Sequence, residues 1–119
     1  SDISASDLEK AQAIAVIDSN GTTLQVITDQ SEINNFVTNL DVDHWELSDL
    51  PSDAQIIGQF GLSQEKTIHF GEKEHDDTLY DVAQLTLYDT KALRTHLLGF
   101  DFDFTLPDDA YEYLAAYFA

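Results

Sequence analysis

The sequence predicts an α+β domain: a mostly antiparallel sheet in the order ββα-ββββ(β)-α, with the helices packed on one sheet face. Three observations carry this. Ile33, Phe36, Val37 and Leu40 fall at i, i+3, i+4 and i+7, a single helical stripe that has to dock on another layer. Several other segments alternate apolar and polar residues with the period of two expected of half-buried strands. The links between those segments are too short for crossover helices, so neighbouring strands pair antiparallel.

The elements follow in order. Residues 1–12 are small, polar and unpatterned, and read as a linker or frayed arm. The ordered domain is expected over 13–119. It opens with the β-branched run AIAVID (13–18), then Asn20-Gly21, a hairpin turn in which both positions tolerate positive φ. TTLQVIT (22–28) returns as the partner strand, with Leu24 and Val26 on one face. Asp29 suits an N-cap and Glu32 three residues on gives capping-box spacing, which starts the first helix. A connection over 41–52 carries His44, Trp45 and Leu50-Pro51.

A third strand is expected over 54–63, where Gly58 and Gly61 suggest a bulge or a close backbone approach. Residues 64–66 are read as a turn and 67–70 as a fourth strand, with Ile68 and Phe70 inward. A charged loop over 71–78 leads to strands over 79–89 and 92–98, the second broken by Gly99. Phe100, Phe102, Phe104 and Leu106 then alternate with Asp101, Asp103 and Thr105 as a last half-buried strand. Pro107 opens the second helix, with Asp108 and Asp109 in its first turn, where carboxylates suit the helix dipole. Ala110, Leu114, Tyr117 and Phe118 form its apolar face.

Composition sets limits on chemistry. Asp and Glu number 23 against five Lys and Arg, a formal charge of −18. Such a surface repels nucleic-acid phosphates and anionic lipids, and favours cations and basic partners. The chain has no cysteine, which removes disulfides, thiolate metal sites and cysteine nucleophiles. Methionine is absent even at position 1, so the chain is expected to be a processed or excised piece, a removed secretion signal being one ordinary cause. No apolar run reaches the ~18 residues of a membrane span.

Few residues stand out as chemical candidates. His44, His69, His75 and His96 lack metal-binding spacing, and a cross-strand pair of His69 with His96 is the one transition-metal arrangement worth naming. Glu72, Glu74, Asp76 and Asp77 crowd one loop as weak cation candidates, without the glycine and bidentate glutamate of a calcium loop. Asp101 and Asp103 project from one strand face roughly 6.6–6.8 Å apart, and with a histidine they define a hydrolase reading. Gly61-Leu62-Ser63-Gln64-Glu65 lacks the final glycine of a nucleophile elbow, and there is no glycine-rich phosphate loop. Asn20-Gly21-Thr22 matches a glycosylation sequon but is accounted for by the hairpin turn. Trp45, beside His44, either pins the long connection onto the core or lines a ligand groove. His44 and Trp45 are therefore the candidate binding residues; no catalytic residue, metal site or cofactor is expected.

The order of motifs is similar to that of small cell-envelope lipoproteins of Gram-positive bacteria, especially lactic-acid bacteria. The likeness rests on the Asp18-Ser19-Asn20-Gly21 hairpin, the capped helix over 29–40, Trp45, Leu50-Pro51 and Ala54. It continues through Leu85-Thr86-Leu87-Tyr88 and Phe104-Thr105-Leu106-Pro107, and so spans about 13–118. The resemblance implies an extracytoplasmic domain held at the membrane only through a lipidated cysteine upstream, and it supplies no catalytic residues. Many such proteins are basic, whereas this chain is acidic. The expected function is that of a monomeric, non-enzymatic envelope domain, accessory or binding a protein, peptide or surface polymer. The rival expectation is an acidic DNA mimic that sequesters a nucleic-acid-binding protein, itself binding no nucleic acid.

Overall fold

Short links between alternating segments leave little choice but neighbouring antiparallel pairs, and the computed structural model, which describes residues 3–65 and 79–119, has that arrangement. Its elements are α1 (Ala5–Leu8), β1 (Ala13–Asp18), β2 (Thr23–Ile27), α2 (Gln30–Leu40), β3 (Glu46–Leu47), β4 (Ile56–Glu65), β5 (Leu79–Tyr88), β6 (Ala92–Leu97), β7 (Phe100–Thr105) and α3 (Asp108–Ala115). Single 3₁₀ turns follow α2 at Val42–His44 and α3 at Ala116–Phe118. The seven strands form one sheet, β2-β1-β4-β5-β6-β7-β3, with every pairing antiparallel. The expected strand 67–70, His69, His75 and the candidates Glu72, Glu74, Asp76 and Asp77 lie outside the described residues.

Register places one row of apolar side chains under the helices. Ile14 and Val16 face Leu62 and Phe60, which face Ala83 and Leu85 in turn. Leu85 and Leu87 continue to Thr95 and Leu93 on β6. Ile33, Phe36, Val37 and Leu40 of α2 and Ala110 and Leu114 of α3 close this face, all of them buried in one core. The opposite face carries Gln59, Gln84, Thr86, Arg94, His96, Asp101 and Asp103 by the same register, a polar surface joined across strands. Both the α+β class and the placing of helices on one face therefore follow the sequence.

The helix starts also behave as their residues dictate. Asp29 caps α2: its carboxylate accepts from the Glu32 amide at 3.0 Å and from the Ser31 hydroxyl. These bonds, Ser31 first, hold its carboxyl below the usual range. Asp41 ends α2 in the left-handed conformation, φ 52°, which short polar side chains tolerate better than most. Pro107 precedes the first turn of α3, where Asp108 and Asp109 sit.

Four expectations need correction. Residues 3–12 are not a frayed arm: Ile3, Leu8 and Ala11 are buried in the core, and α1 is tied at its start by Ser4 N–H donating to Asp7 Oδ2. Ten residues with only three inward positions carry no visible period. Gln64 and Glu65 do not turn the chain but extend β4, opposite Tyr80 and Leu79. The phenylalanines of β7 are not equally inward; Phe104 is 2% exposed, Phe102 half-buried and Phe100 67% exposed, as the strand runs out from under the helices. Tyr117 and Phe118 lie beyond α3, in the 3₁₀ turn, and are only partly buried.

Gly58 meets its expectation of close approach. A Cβ there would stand 2.3 Å from the Phe118 ring, so the absence of a side chain lets the C-terminal turn lie flat on β4. A bulge between Ile56 and Gly58 accompanies it.

Thr95 is the exception within the core. It is 0% exposed, and its hydroxyl has no hydrogen-bond partner among the described residues. A buried polar atom without a partner costs about 1–3 kcal/mol. Thr95→Val, which keeps the shape and the β-branch, is expected to stabilise the fold by about 1 kcal/mol. Urea unfolding reads this as a higher midpoint at unchanged slope; a lower midpoint would mean the hydroxyl has a partner that valine lacks.

Candidate functional site

The residues singled out in the sequence separate into three places. Trp45 is in the core, 5% exposed, because the 3₁₀ turn at Val42–His44 swings it inward. Its ring packs on Phe104 with centroids 5.3 Å apart, and its Nε1–H donates to the Leu40 carbonyl at 2.6 Å. That bond satisfies the last turn of α2 and the only polar atom of the indole. Trp45 thus pins the connection onto the core and does not line a groove, which corrects its assignment as a binding residue.

His44 points the other way. It lines a shallow groove of about 410 Å³ with Asp41, Glu46, Thr105, Leu106 and Pro107. Its Nδ1 lies 2.7 Å from Asp41 Oδ1, and that hydrogen bond, with the charges of Asp41 and Asp43, raises the imidazole pKa. The pair is well exposed, so the groove offers an ion pair in water and little enclosure.

Asp101 and Asp103 sit on the open sheet face, each bonded to the residue opposite on β6. Arg94 holds Asp103 with two bonds, Nε to Oδ1 at 2.8 Å and Nη2 to Oδ2 at 3.1 Å. His96 Nδ1 lies 2.8 Å from Asp101 Oδ1. A depression of about 420 Å³ is lined by both aspartates with Leu47, Ser48, Asp49 and Phe102, but His96 is not in its wall. The carboxylate–imidazole pair therefore lies on a surface, and Asp103 is committed to a guanidinium. Among the described residues, Asp101 and Asp103 share this depression without His96.

A different feature has the geometry of a binding site. A cleft of about 400 Å³ opens between α1 and the far end of the β6–β7 hairpin. Its walls are Ile3, Val82, Leu97, Leu98, Phe100 and Phe102, with Asp7, Lys10 and Gln64 at the polar margin. Each wall residue has a local cause. Ile3 arrives because α1 packs on the sheet. Val82 is the extra residue of a bulge in β5, where Leu62 and Ser63 face Ala83 and Asp81. Leu98 and Gly99 form the two-residue turn of the hairpin, φ 55° and 81°, the geometry in which both positions are left-handed.

Leu98 is the informative residue. A left-handed conformation costs a non-glycine residue roughly 1–2 kcal/mol, and Asn-Gly is the pair that suits such a turn. Leucine stands there instead and is 85% exposed, next to Phe100 at 67%. The fold gains nothing from a strained, solvated leucine. Asp7 on the opposite margin is already engaged by the Ser4 amide at 3.0 Å and its hydroxyl at 3.2 Å. The amide, the larger influence, lowers its carboxyl pKa. Lys10 makes no salt bridge among the described residues, unlike Lys91 and Arg94, and its charge acts on Asp7 across the same margin.

The sequence reading missed this cleft because its walls come from four separated segments. The signal that was present is local: Leu98-Gly99 at a hairpin tip followed by Phe100, an apolar pair at a turn where polar residues are usual. Comparison with protein-family models, with curated proteins and with solved structures found no match.

Proposed function

We propose that this chain is a non-enzymatic binding domain of the cell envelope, which seats apolar side chains of a protein or peptide partner in the cleft between α1 and the β6–β7 hairpin. The observation that carries the reading is Leu98, strained in φ and exposed beside Phe100 on the wall of an apolar cleft. Contiguous exposed apolar surface on a soluble domain marks an interaction site. The apolar walls favour a peptide or protein over a surface polymer, whose hydroxyls need polar partners that these walls lack. The envelope location rests on the motif resemblance, and a precursor without a secretion signal would end that part of the reading.

Leu98→Asn separates binding from folding. Asparagine suits the left-handed position, so the variant should melt no lower than the parent. It should weaken binding of the neutral dye Nile red, a stand-in for an apolar side chain, by about 3–10-fold, as removal of roughly 1 kcal/mol of apolar contact predicts. Unchanged dye affinity in a folded Leu98→Asn chain would place the apolar site elsewhere.

A further inference from the structure

The two outer strands of the sheet are protected to different degrees. β3 is only two residues long, Glu46–Leu47, and its first residue is charged. β2 is longer and bare. Thr23, Leu24, Gln25 and Val26 are exposed, and residues 22–28 hold no charge and no proline, the usual devices against strand addition. Between Val16 and Ile17 the β1 register skips Leu24, an extra residue that bends the start of β2. Among the described residues, the regular stretch Gln25–Ile27 is left with an open edge.

Two further features lie beside that stretch. On the helix side Gln25 shares a groove of about 330 Å³ with Tyr113, Ala116 and Tyr117. The two tyrosine rings meet edge to face at 5.6 Å, with their hydroxyls 3.0 Å apart. The elements that frame this corner also share one sign of charge. β1, α2 and α3 contribute Asp18, Glu32, Asp109 and Glu112, with Asp29 at the α2 cap, and contain no lysine or arginine; Asp108 of α3 is paired with Lys91. An aromatic groove in an acidic surround suits a cation, which gains both ring-face and charge attraction.

We propose that β2 is a strand-addition site for an extended protein segment in which basic and apolar residues alternate, with one Arg or Lys side chain lying across Tyr113 and Tyr117. Side chains of an added strand alternate between the two sheet faces. Those on the helix side enter the groove beside Gln25. Those on the other side fall next to Val26, which lies opposite Ala15 on the open face and is 55% exposed. A second copy of this chain is disfavoured as the occupant: two domains of −18 repel, and β2 has no cation to place in the partner's groove.

The test titrates the full chain with the capped peptide Thr-Arg-Val-Lys-Val-Arg-Val-Thr, read by amide NMR and hydrogen exchange. Binding should protect the Gln25, Val26 and Ile27 amide region at least 10-fold. Gln25→Lys, which fills the groove with the chain's own cation, should weaken binding at least 10-fold. Glu46→Gln, the same change in net charge at the other outer strand, should weaken it less than 3-fold. Equal loss in Gln25→Lys and Glu46→Gln would reduce the effect to general charge attraction and overturn the proposal. So would equal binding of a peptide with proline in place of the first and third valines, or a free chain that is already dimeric with β2 protected.

Discussion

Phe60→Ala is expected to lower stability by about 3–5 kcal/mol, the range for removing a buried aromatic ring. Phe60 is 0% exposed at the middle of β4, where sheet and helices meet. Its ring lies 5.2 Å from Phe36 of α2, 5.5 Å from Tyr117 and 5.3 Å from Phe118, centroid to centroid. Phe36 in turn meets Tyr113 and Tyr117, each at 6.0 Å. Removing Phe60 withdraws a ring of the sheet that touches α2 and the C-terminal turn together, and a cavity there cannot close by moving a single element. At roughly 4 °C per kcal/mol for a chain of this size, the melting temperature should fall by about 12–20 °C. Phe60→Leu, which keeps most of the volume, should cost less than half as much. A loss below about 1.5 kcal/mol for Phe60→Ala would mean this cluster does not join the layers.

The residues of that cluster show what was legible in the sequence. Phe36 belongs to a stripe of four helical positions over a single segment, so its burial could be read from spacing alone. Phe60 could be read from alternation along one strand. Their contact with each other could not, because it depends on which strands become neighbours, and β1 pairs with β4 across the intervening β2, α2 and β3. Gly58 shows the same division: its requirement for space was visible, but the Phe118 ring that uses the space comes from the far end of the chain.

The functional surfaces were less legible, for a related reason. Trp45 and His44 are adjacent in sequence and stood out by type, yet one side chain satisfies the core and the other faces water. The cleft near Leu98 and the groove near Gln25 each draw walls from elements far apart in the chain. Neither shows a motif whose chemistry announces itself: the walls are aliphatic and aromatic side chains with glutamine, and charge enters only through Asp7 and Lys10 at the cleft margin. What local sequence did record was misfit: a leucine at a turn suited to asparagine, and an uncharged strand in a chain where acids are otherwise frequent.

Sodium chloride is expected to raise the melting temperature, on the order of 10 °C between low salt and 1 M. Acids outnumber Lys and Arg 23 to five, and among the described residues Lys and Arg form ion pairs only at Lys91–Asp108 and Arg94–Asp103. Two carboxylates 10 Å apart repel by roughly 0.4 kcal/mol in water. Many such pairs sum to a few kcal/mol, of which the unfolded chain escapes a part by spreading. Screening removes that penalty from the folded state, so salt stabilises. The pH response adds a second arm with a definite sign. Asp7 and Asp29 have folded pKa values below 3.8, so their contribution is complete above that value and is lost as pH falls through the folded pKa. His44 has its pKa raised above 6.5 by Asp41; its contribution is complete below 6.5 and is lost as pH rises through the higher folded value. Between pH 8 and 5 the melting temperature should therefore hold or rise slightly, and it should fall below about pH 4 as the α1 and α2 caps protonate. Thermal melts at two sodium chloride concentrations across this pH range measure both arms. A melting temperature that falls with salt at pH 7 would show that the few ion pairs outweigh the repulsion among the acids.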